Sequence, residues 1–308
     1  MKIEYPSGKW SDYELVDCGG FEKLERYGSY ILARPEPKAL WDKTLPESEW
    51  KRLAHTRFTP GAGFGKAGKE DSGTWTRLRR MDDQWHIRYG VGGPSFDLRL
   101  GLTSFKHVGV FPEQAPNWEY IYSNTKTLCE QARAEGRPVP KVLNLFAYTG
   151  GASLAAKAAG ADVTHLDSVR QVVTWARGNM ESSGLDGIRW VVEDAMKFAT
   201  REAKRGNRYS GIILDPPAYG HGPDGEKWKL DECLFGMLKT VSAILEPRDS
   251  FLVLNLYSNG YSAMLGETLV REAFSLGPGQ DGIESGELAL RDRSGKALPL
   301  SIFVRLRR

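Results

Sequence analysis

In this 308-residue chain, four places set polar or glycine residues directly after a short apolar run. They are "AYTGG" at 147–151, Asp167 after "ADVTHL", Glu193 and Asp194 after "IRWVV", and Asp215 in "LDPPAYG" at 214–220. An ionised carboxylate only accepts hydrogen bonds. Asp167 suits the paired hydroxyls of a ribose, each charge-assisted bond being worth ~1.5–3 kcal/mol. It equally suits the N-cap of a helix starting near Val169. Glu193 or Asp194 suits the exocyclic amine of an adenine, or again a helix cap. Gly150 and Gly151 let the backbone approach a ligand. Their spacing is not GxGxxG, which argues against a dinucleotide-binding dehydrogenase, and the missing P-loop argues against a triphosphate. Pro216 and Pro217 cannot sit inside a helix or a central strand. Each pushes the preceding residue out of the α region, so the turn after Asp215 is stiff and extended, with backbone carbonyls on offer.

The elements that must hold these residues alternate from Lys141 onward. Apolar runs of strand length begin at "VLNLF", "ADVTHLD", "IRWVVED", "YSGIILD" and "SFLVLNL". Between them lie helical segments, the second closed by Gly184 and the fourth stopped by Pro247. That alternation is the signature of a doubly wound, mostly parallel sheet, and such sheets bind ligands at the carboxyl ends of their strands. The last stretch, "GELALRDRSGKALPLSIFVRL", reads as two strands turning at Ser294–Gly295, a hairpin at the sheet edge. A seven-stranded α/β sheet is expected. A helix over 116–134 leads into it.

Residues 1–115 read differently. "YELVD", "SYILARP", "TWTRLRR", "WHIRYG" and "SFDLRL" are short runs with β-branched and aromatic residues, and most of the tryptophans fall here. The expected organisation is a β-rich N-terminal domain over 1–115 and an α/β domain over 116–308. "TPGAGFGKAGKEDSG" at 59–73 reads as a mobile loop.

Composition is that of an ordinary globular protein, 41% hydrophobic and 26% charged. No run approaches a membrane span, and the N-terminus has no signal-peptide core. The dispersed cysteines Cys18, Cys129 and Cys233 form no CxxC. They predict neither a disulfide framework nor a metal site, and reduced thiols in the cytoplasm. A net charge of +3 is too weak to prove a nucleic-acid partner. "RLRR" at 77–80 and the tail "VRLRR" concentrate positive charge, either for an RNA backbone or as a solvated face. A homo-oligomer is compatible with all of this.

Taken together, residues 141–260 resemble class I S-adenosylmethionine-dependent methyltransferases, the whole likeness running over roughly 105–305. "NLFAYTGG" resembles the loop that cradles the methionine part of the cofactor, Asp167 the ribose acid and Asp194 the adenine-contacting acid. "DPPAY" resembles the catalytic loop of nucleic-acid members. The branch that methylates large-subunit ribosomal RNA, at cytosine C5 or guanine N7, also has a β-rich N-terminal region and a lead-in similar to "GVFPEQ" at 109–114. The resemblance implies a Rossmann-like fold with S-adenosylmethionine held by Phe146, Tyr148, Thr149, Gly150, Asp167, Ser168, Asp194, Ala195 and Asp215. It implies a catalytic loop of Asp215, Pro216, Pro217 and Tyr219. There Asp215 and the Pro216 carbonyl accept from a base amine while Tyr219 stacks on the base, at ~1–3 kcal/mol. Gln114, Asn255 and Tyr257 are candidate substrate contacts.

Chemistry narrows the acceptor. Methylating pyrimidine C5 requires covalent addition, normally by a cysteine thiolate. The loops after the fourth and fifth strands read "DPPAYGHGP" and "NLYSNGYS", with no cysteine. Asn255, Tyr257, Ser258 and Asn259 stand where C5 enzymes of that branch carry it, and Cys233 lies in an amphipathic helix. A nitrogen lone pair needs mainly alignment, so a nitrogen of a ribosomal RNA base is the expected acceptor. A small-molecule or protein substrate, or a binding module without turnover, remain the alternatives. His221 is either a base or a surface histidine, and 220–229 reads as a lid over the substrate.

Overall fold

The structure, a computed structural model, describes residues 2–62, 72–257, 260–277 and 282–308. The expected loop at 59–73 therefore falls largely outside the described residues, as do Ser258 and Asn259.

The N-terminal region opens with β1 (Lys2–Glu4) and runs through β2 (Tyr13–Gly19), β3 (Glu22–Tyr27) and β4 (Tyr30–Pro35). Helix α1 (Glu47–Leu53) precedes β5 (Thr56–Pro60), β6 (Gly73–Arg77), β7 (Gln84–Tyr89) and β8 (Phe96–Gly101). β2 to β6 form a five-stranded sheet in chain order, and β7 pairs with β8. β3, β5 and α1 were not legible in the sequence. β3 reads "EKLERY", whose charged residues mask a buried strand.

From the 20-residue helix α2 (Ala115–Ala134) onward the chain alternates. In order come β9 (Lys141–Leu145), α3 (Gly151–Ala158), β10 (Asp162–Asp167), α4 (Arg170–Ser182), β11 (Ile188–Val192), α5 (Ala195–Arg205) and β12 (Gly211–Leu214). After β12 a short hairpin, β13 (Tyr219–His221) with β14 (Lys227–Lys229), precedes α6 (Leu230–Ser242). The chain ends with β15 (Phe251–Tyr257), α7 (Ala263–Ala273), β16 (Ile283–Arg291) and β17 (Ala297–Arg307). Helices start and stop where local chemistry says they should: Asp194 caps α5 by accepting from the Lys197 amide at 2.8 Å, and Gly206 ends it in the left-handed region.

The main sheet runs β1-β16-β17-β15-β12-β9-β10-β11. It is an α/β Rossmann-like sheet of eight strands, which corrects the expected seven. The added strand is β1, which pairs parallel with β16 from Lys2 opposite Gly286 to Glu4 opposite Leu288. Three residues with a single apolar side chain carry no sequence signal, and the carboxy-terminal hairpin therefore lies inside the sheet rather than at its edge. Helices on both faces let β9, β12 and β15 be apolar throughout most of their length. One apolar cluster continues from Trp10, Tyr89 and Leu98 of the N-terminal region into Trp118, Val142 and Ile213 of the α/β region. Among the described residues no helix is long and apolar enough to cross a membrane.

Candidate active site

The register of the parallel strands places the carboxyl-end residues on one rim. Leu145 of β9 lies opposite Leu166 on one side and Leu214 on the other. Asp167 lies opposite Val192, and Leu214 opposite Leu254. The row at the carboxyl ends is therefore, in sheet order, Val192, Asp167, Phe146, Asp215 and Asn255, with Glu193 one residue further along. β10 and β12 flank β9 on opposite sides, which makes this the switch point of the sheet. Asp167 and Asp215 are two strand spacings apart, ~10 Å, a span suited to a nucleoside with a tail.

A cleft opens here, lined among others by Gln114, Phe146, Tyr148, Thr149, Gly150, Asp215 and Asn255. Its floor is a strained turn: Phe146, Tyr148 and Gly150 have φ of 58°, 49° and 93°. Non-glycine residues persist at positive φ only where surrounding contacts determine them. Those contacts are visible. The Asp167 carboxylate accepts from the Tyr148 and Val169 amides, each at 2.9 Å. Thr149 donates to the Gly109 carbonyl at 2.6 Å, and Asn179 donates to the Thr149 carbonyl at 2.9 Å. Behind the turn, Asn144 donates to Ser153 (2.9 Å), which pairs with His165 Nδ1 at 3.0 Å. Burial pulls that imidazole down to about 3, so it is neutral. Gly109, Asn144, Ser153, His165 and Asn179 were missed from sequence; Asn144 and Ser153 flank the turn on β9 and α3, whereas Gly109, His165 and Asn179 reach it from elements that only the fold brings near.

Asp167 is not the N-cap of α4, which is Val169 without a side-chain cap; its carboxylate instead binds the Tyr148 and Val169 amides. The Tyr148 bond braces the turn, and with the Val169 and Ser168 amides it engages three of roughly four lone-pair positions, which leaves acceptor capacity for a hydroxyl donor. Burial raises its carboxyl, opposed by amide hydrogen bonds from Val169, Tyr148 and Ser168. On the neighbouring strand Asp194 uses one oxygen as the cap of α5 while Glu193 is held by Arg201 at 2.7 Å. Asp167, Ser168, Asp194 and Ala195 border the rim without lining this cleft, as do Pro216, Pro217 and Tyr219.

Asp215 is the most perturbed rim carboxylate. Burial pushes it up to about 7; the Glu113 charge adds to this, while the Asn255 hydrogen bond opposes it. Asn255 Nδ2 donates to Asp215 Oδ1 at 2.7 Å, and Gln114 Nε2 lies 3.5 Å from Oδ2. Among the described residues the buried Asn255 Oδ1 has no partner, and the buried Tyr257 hydroxyl lies within reach of the Gln114 side chain. Tyr257 does not line the cleft but touches Phe111, which does, at 5.4 Å between ring centres. The prolines behave as a rigid turn: the Pro217 carbonyl accepts from Trp228 Nε1 at 2.7 Å, and no described residue donates to the Pro216 carbonyl. Trp228 in turn packs on Phe146, 4.7 Å between centres. Tyr219 and His221 stand side by side on the hairpin, joined at 3.0 Å between the hydroxyl and Nε2. The lid segment is therefore an ordered hairpin, tied to α5 through Glu226 and Lys197.

A model of the S-adenosylmethionine-dependent methyltransferases matches residues 121–280, just over half of the chain. The chain belongs to the S-adenosylmethionine-dependent methyltransferase family. This methyltransferase is 38% identical to the SAM-dependent methyltransferase of Agrobacterium tumefaciens, at a TM-score of 0.86, over 100% of this chain and 93% of that one. It shares its fold with SMU.776, solved in complex with SAH, at 15% identity and a TM-score of 0.69, over 97% of this chain and 76% of that one. Among curated proteins it is 30% identical over 154 residues to the ribosomal RNA large subunit methyltransferase K/L of Syntrophotalea carbinolica, covering 49% of this chain. It spans only 19% of the length of that relative. The methyl donor is S-adenosylmethionine, and the rim fits it on chemistry. Asp167 keeps acceptor capacity for a hydroxyl donor, α3 offers its N-terminal amides to a carboxylate, and Asn255 Oδ1 is an unpartnered acceptor.

Proposed function

We propose that this methyltransferase acts on a nucleobase nitrogen of ribosomal RNA. The observation that carries the reading is the catalytic loop: Asp215 anchored by Asn255, followed by the unengaged Pro216 carbonyl and then by Tyr219. Two adjacent acceptors on a stiff turn hold an amine-bearing base edge, and Tyr219 supplies a stacking surface. The bound donor supplies an electrophilic methyl group on sulfur. The protein's part is to align a lone pair with it and keep water out. No described cysteine lies at the strand ends: Cys233 is on α6, packed against the apolar core. That favours nitrogen over pyrimidine C5.

Phe146, Tyr148, Thr149, Gly150, Asp167, Ser168, Asp194, Ala195 and Asp215 are assigned to the donor, and Asp215, Pro216, Pro217 and Tyr219 to the base. Gln114, Asn255 and Tyr257 lie on the substrate side. Residues 1–115 form the RNA-recognition unit and 116–308 the catalytic unit. A ribosomal RNA substrate places the protein in the cytoplasm, and the similarity to rRNA methyltransferases supports the substrate class. Transfer of labelled methyl from S-adenosylmethionine tests it. Incorporation into ribosomal RNA lacking its modifications, mapped to a base nitrogen, is expected. Label entering only protein or small molecules overturns it.

A further inference from the structure

Asp215 is the inner end of a chain of polar side chains that crosses the molecule. At the outer end is Arg305, buried on β17 although the sequence places it in a basic tail. Its guanidinium lies 4.7 Å from the Tyr120 ring centre and 4.1 Å from that of Phe303. It is held by Glu4 at 2.8 Å and Glu284 at 3.1 Å. Its Nε and a terminal nitrogen donate to Asn117 Oδ1 at 3.0 and 2.9 Å. Asn117 Nδ2 donates to Gln114 Oε1 at 2.8 Å, which leaves Gln114 Nε2 facing Asp215.

The direction of this chain follows from the chemistry of one residue. A guanidinium has only donors, whereas an amide presents an acceptor at one end and a donor at the other. Arg305 therefore forces the oxygen of Asn117 toward itself. Asn117 must turn its N–H to Gln114, and Gln114 must turn its N–H to Asp215. Asn117 and Gln114 are both buried at the inner wall of the cleft, so their side-chain partners are set mainly within the protein. We propose that Arg305 is a positioning residue that, through Asn117, fixes the polarity of Gln114 so that a donor and never an acceptor faces Asp215. An N–H on that side favours the ionised, hydrogen-bond-accepting carboxylate; a carbonyl there would favour the neutral acid. The other titratable groups facing Asp215 are Glu113 from the lead-in turn and Tyr257 from β15. The Glu113 charge disfavours that of Asp215, while Tyr257, whose own ionisation Asp215 opposes, stays neutral; the side-chain amides of Asn255 and Gln114 are the donors on the carboxylate.

The task given to Asp215 rests on the reading above, but the relay is read without any substrate. Carbon-detected NMR follows the Asp215 carboxyl through a pH titration, assigned by its loss in Asp215→Asn. In Asn117→Asp the contact with Arg305 is kept and position 117 becomes an acceptor on both sides, so the Gln114 amide reverses. The Asp215 midpoint is expected to rise by about one pH unit. In a Gln114→Ala background the same change is expected to add little, because the amide that transmits it is gone. An unmoved midpoint in Asn117→Asp overturns the relay. So does an equal rise in the Gln114→Ala background, since the new charge would then act directly through space. The unmodified protein gives an independent reading if the variant does not fold: the Gln114 side-chain N–H resonances must shift with the Asp215 midpoint, and resonances that ignore it overturn the proposal. An inert RNA in methyl-transfer assays, with these shifts present, sinks the substrate class and leaves the relay standing.

Discussion

Asp215 makes the site's pH dependence a matter of one carboxyl. To accept from a base amine it must be ionised, and burial holds its folded pKa near about 7. kcat/KM for methyl transfer is therefore expected to rise with pH through about 7 and then level off. The sign for stability is opposite. The folded pKa lies above the ordinary carboxylate value, so the folded state holds a proton that the unfolded state has released between pH ~4 and 7. Asp215→Asn should therefore lose turnover while unfolding at a higher temperature than the native protein at pH 8. A variant that melts lower there would mean that the carboxylate is a net stabiliser. Asp167→Ala belongs to the opposite class. It removes the acceptor capacity left for the ribose and the brace on Tyr148 together, so calorimetry should show S-adenosylmethionine affinity falling by more than about tenfold, ~1.4 kcal/mol. A change within about threefold, ~0.6 kcal/mol, would remove Asp167 from the cofactor site. Both residues were legible in the sequence as acids ending apolar runs. That Asp167 would brace the turn as well as face it was not, because its amide partner at Tyr148 comes from a different strand end.

The element that most limits the site is the turn from Phe146 to Gly150. Gly150 has φ +93°, and a Cβ there would lie 3.2 Å from the Ala176 Cβ on α4. Gly150→Ala is expected to cost ~1–3 kcal/mol of stability through backbone strain, and to weaken cofactor binding because the turn shifts. Gly206 has φ +70°, and a Cβ there would meet nothing within 4 Å, so it is the matched control. Gly206→Ala should destabilise to a similar or smaller extent and leave cofactor affinity unchanged. Equal affinity losses in both would mean that global destabilisation, and not the turn, is being read. At this scale the parallel strands and their helices were readable because buried strands are continuous apolar runs and the helices between them are punctuated by residues such as Gly184 and Pro247. β1, β3 and β5 were not. Two of them hide buried positions among charged or polar residues, and β1 is recruited by β16 rather than by any pattern of its own.

The whole molecule is tied together by charge buried beneath the N-terminal sheet. Glu25 is fully buried on β3, paired with Arg34 on β4 through Nε at 2.9 Å, and it accepts from the Tyr13 and Tyr27 hydroxyls at 3.0 and 2.9 Å. Arg34 also donates to the Lys106 carbonyl at 3.0 Å, reaching the segment that leads into the cleft. Burial alone would raise the Glu25 carboxyl, yet Arg34 and Lys23 pull it down to about 2. A depressed folded pKa gives stability that is present above the ordinary carboxylate value and lost as pH falls toward 2. Removing one partner of such a pair leaves a bare buried charge and costs ~3–5 kcal/mol. Arg34→Met is expected to lose about that much in urea unfolding at pH 7 and to lose less at pH 3, where protonating Glu25 is easier without its partner. The two regions also share one apolar cluster and one sheet, since β1 pairs with β16. Tryptophan fluorescence, with five of the nine indoles in the N-terminal region, and far-ultraviolet circular dichroism, dominated by the helices that follow it, should therefore give coincident transitions that move together in Arg34→Met. Separate midpoints, with only the fluorescence transition moved by the substitution, would show that the β-rich region unfolds on its own and that the buried pair stabilises it alone.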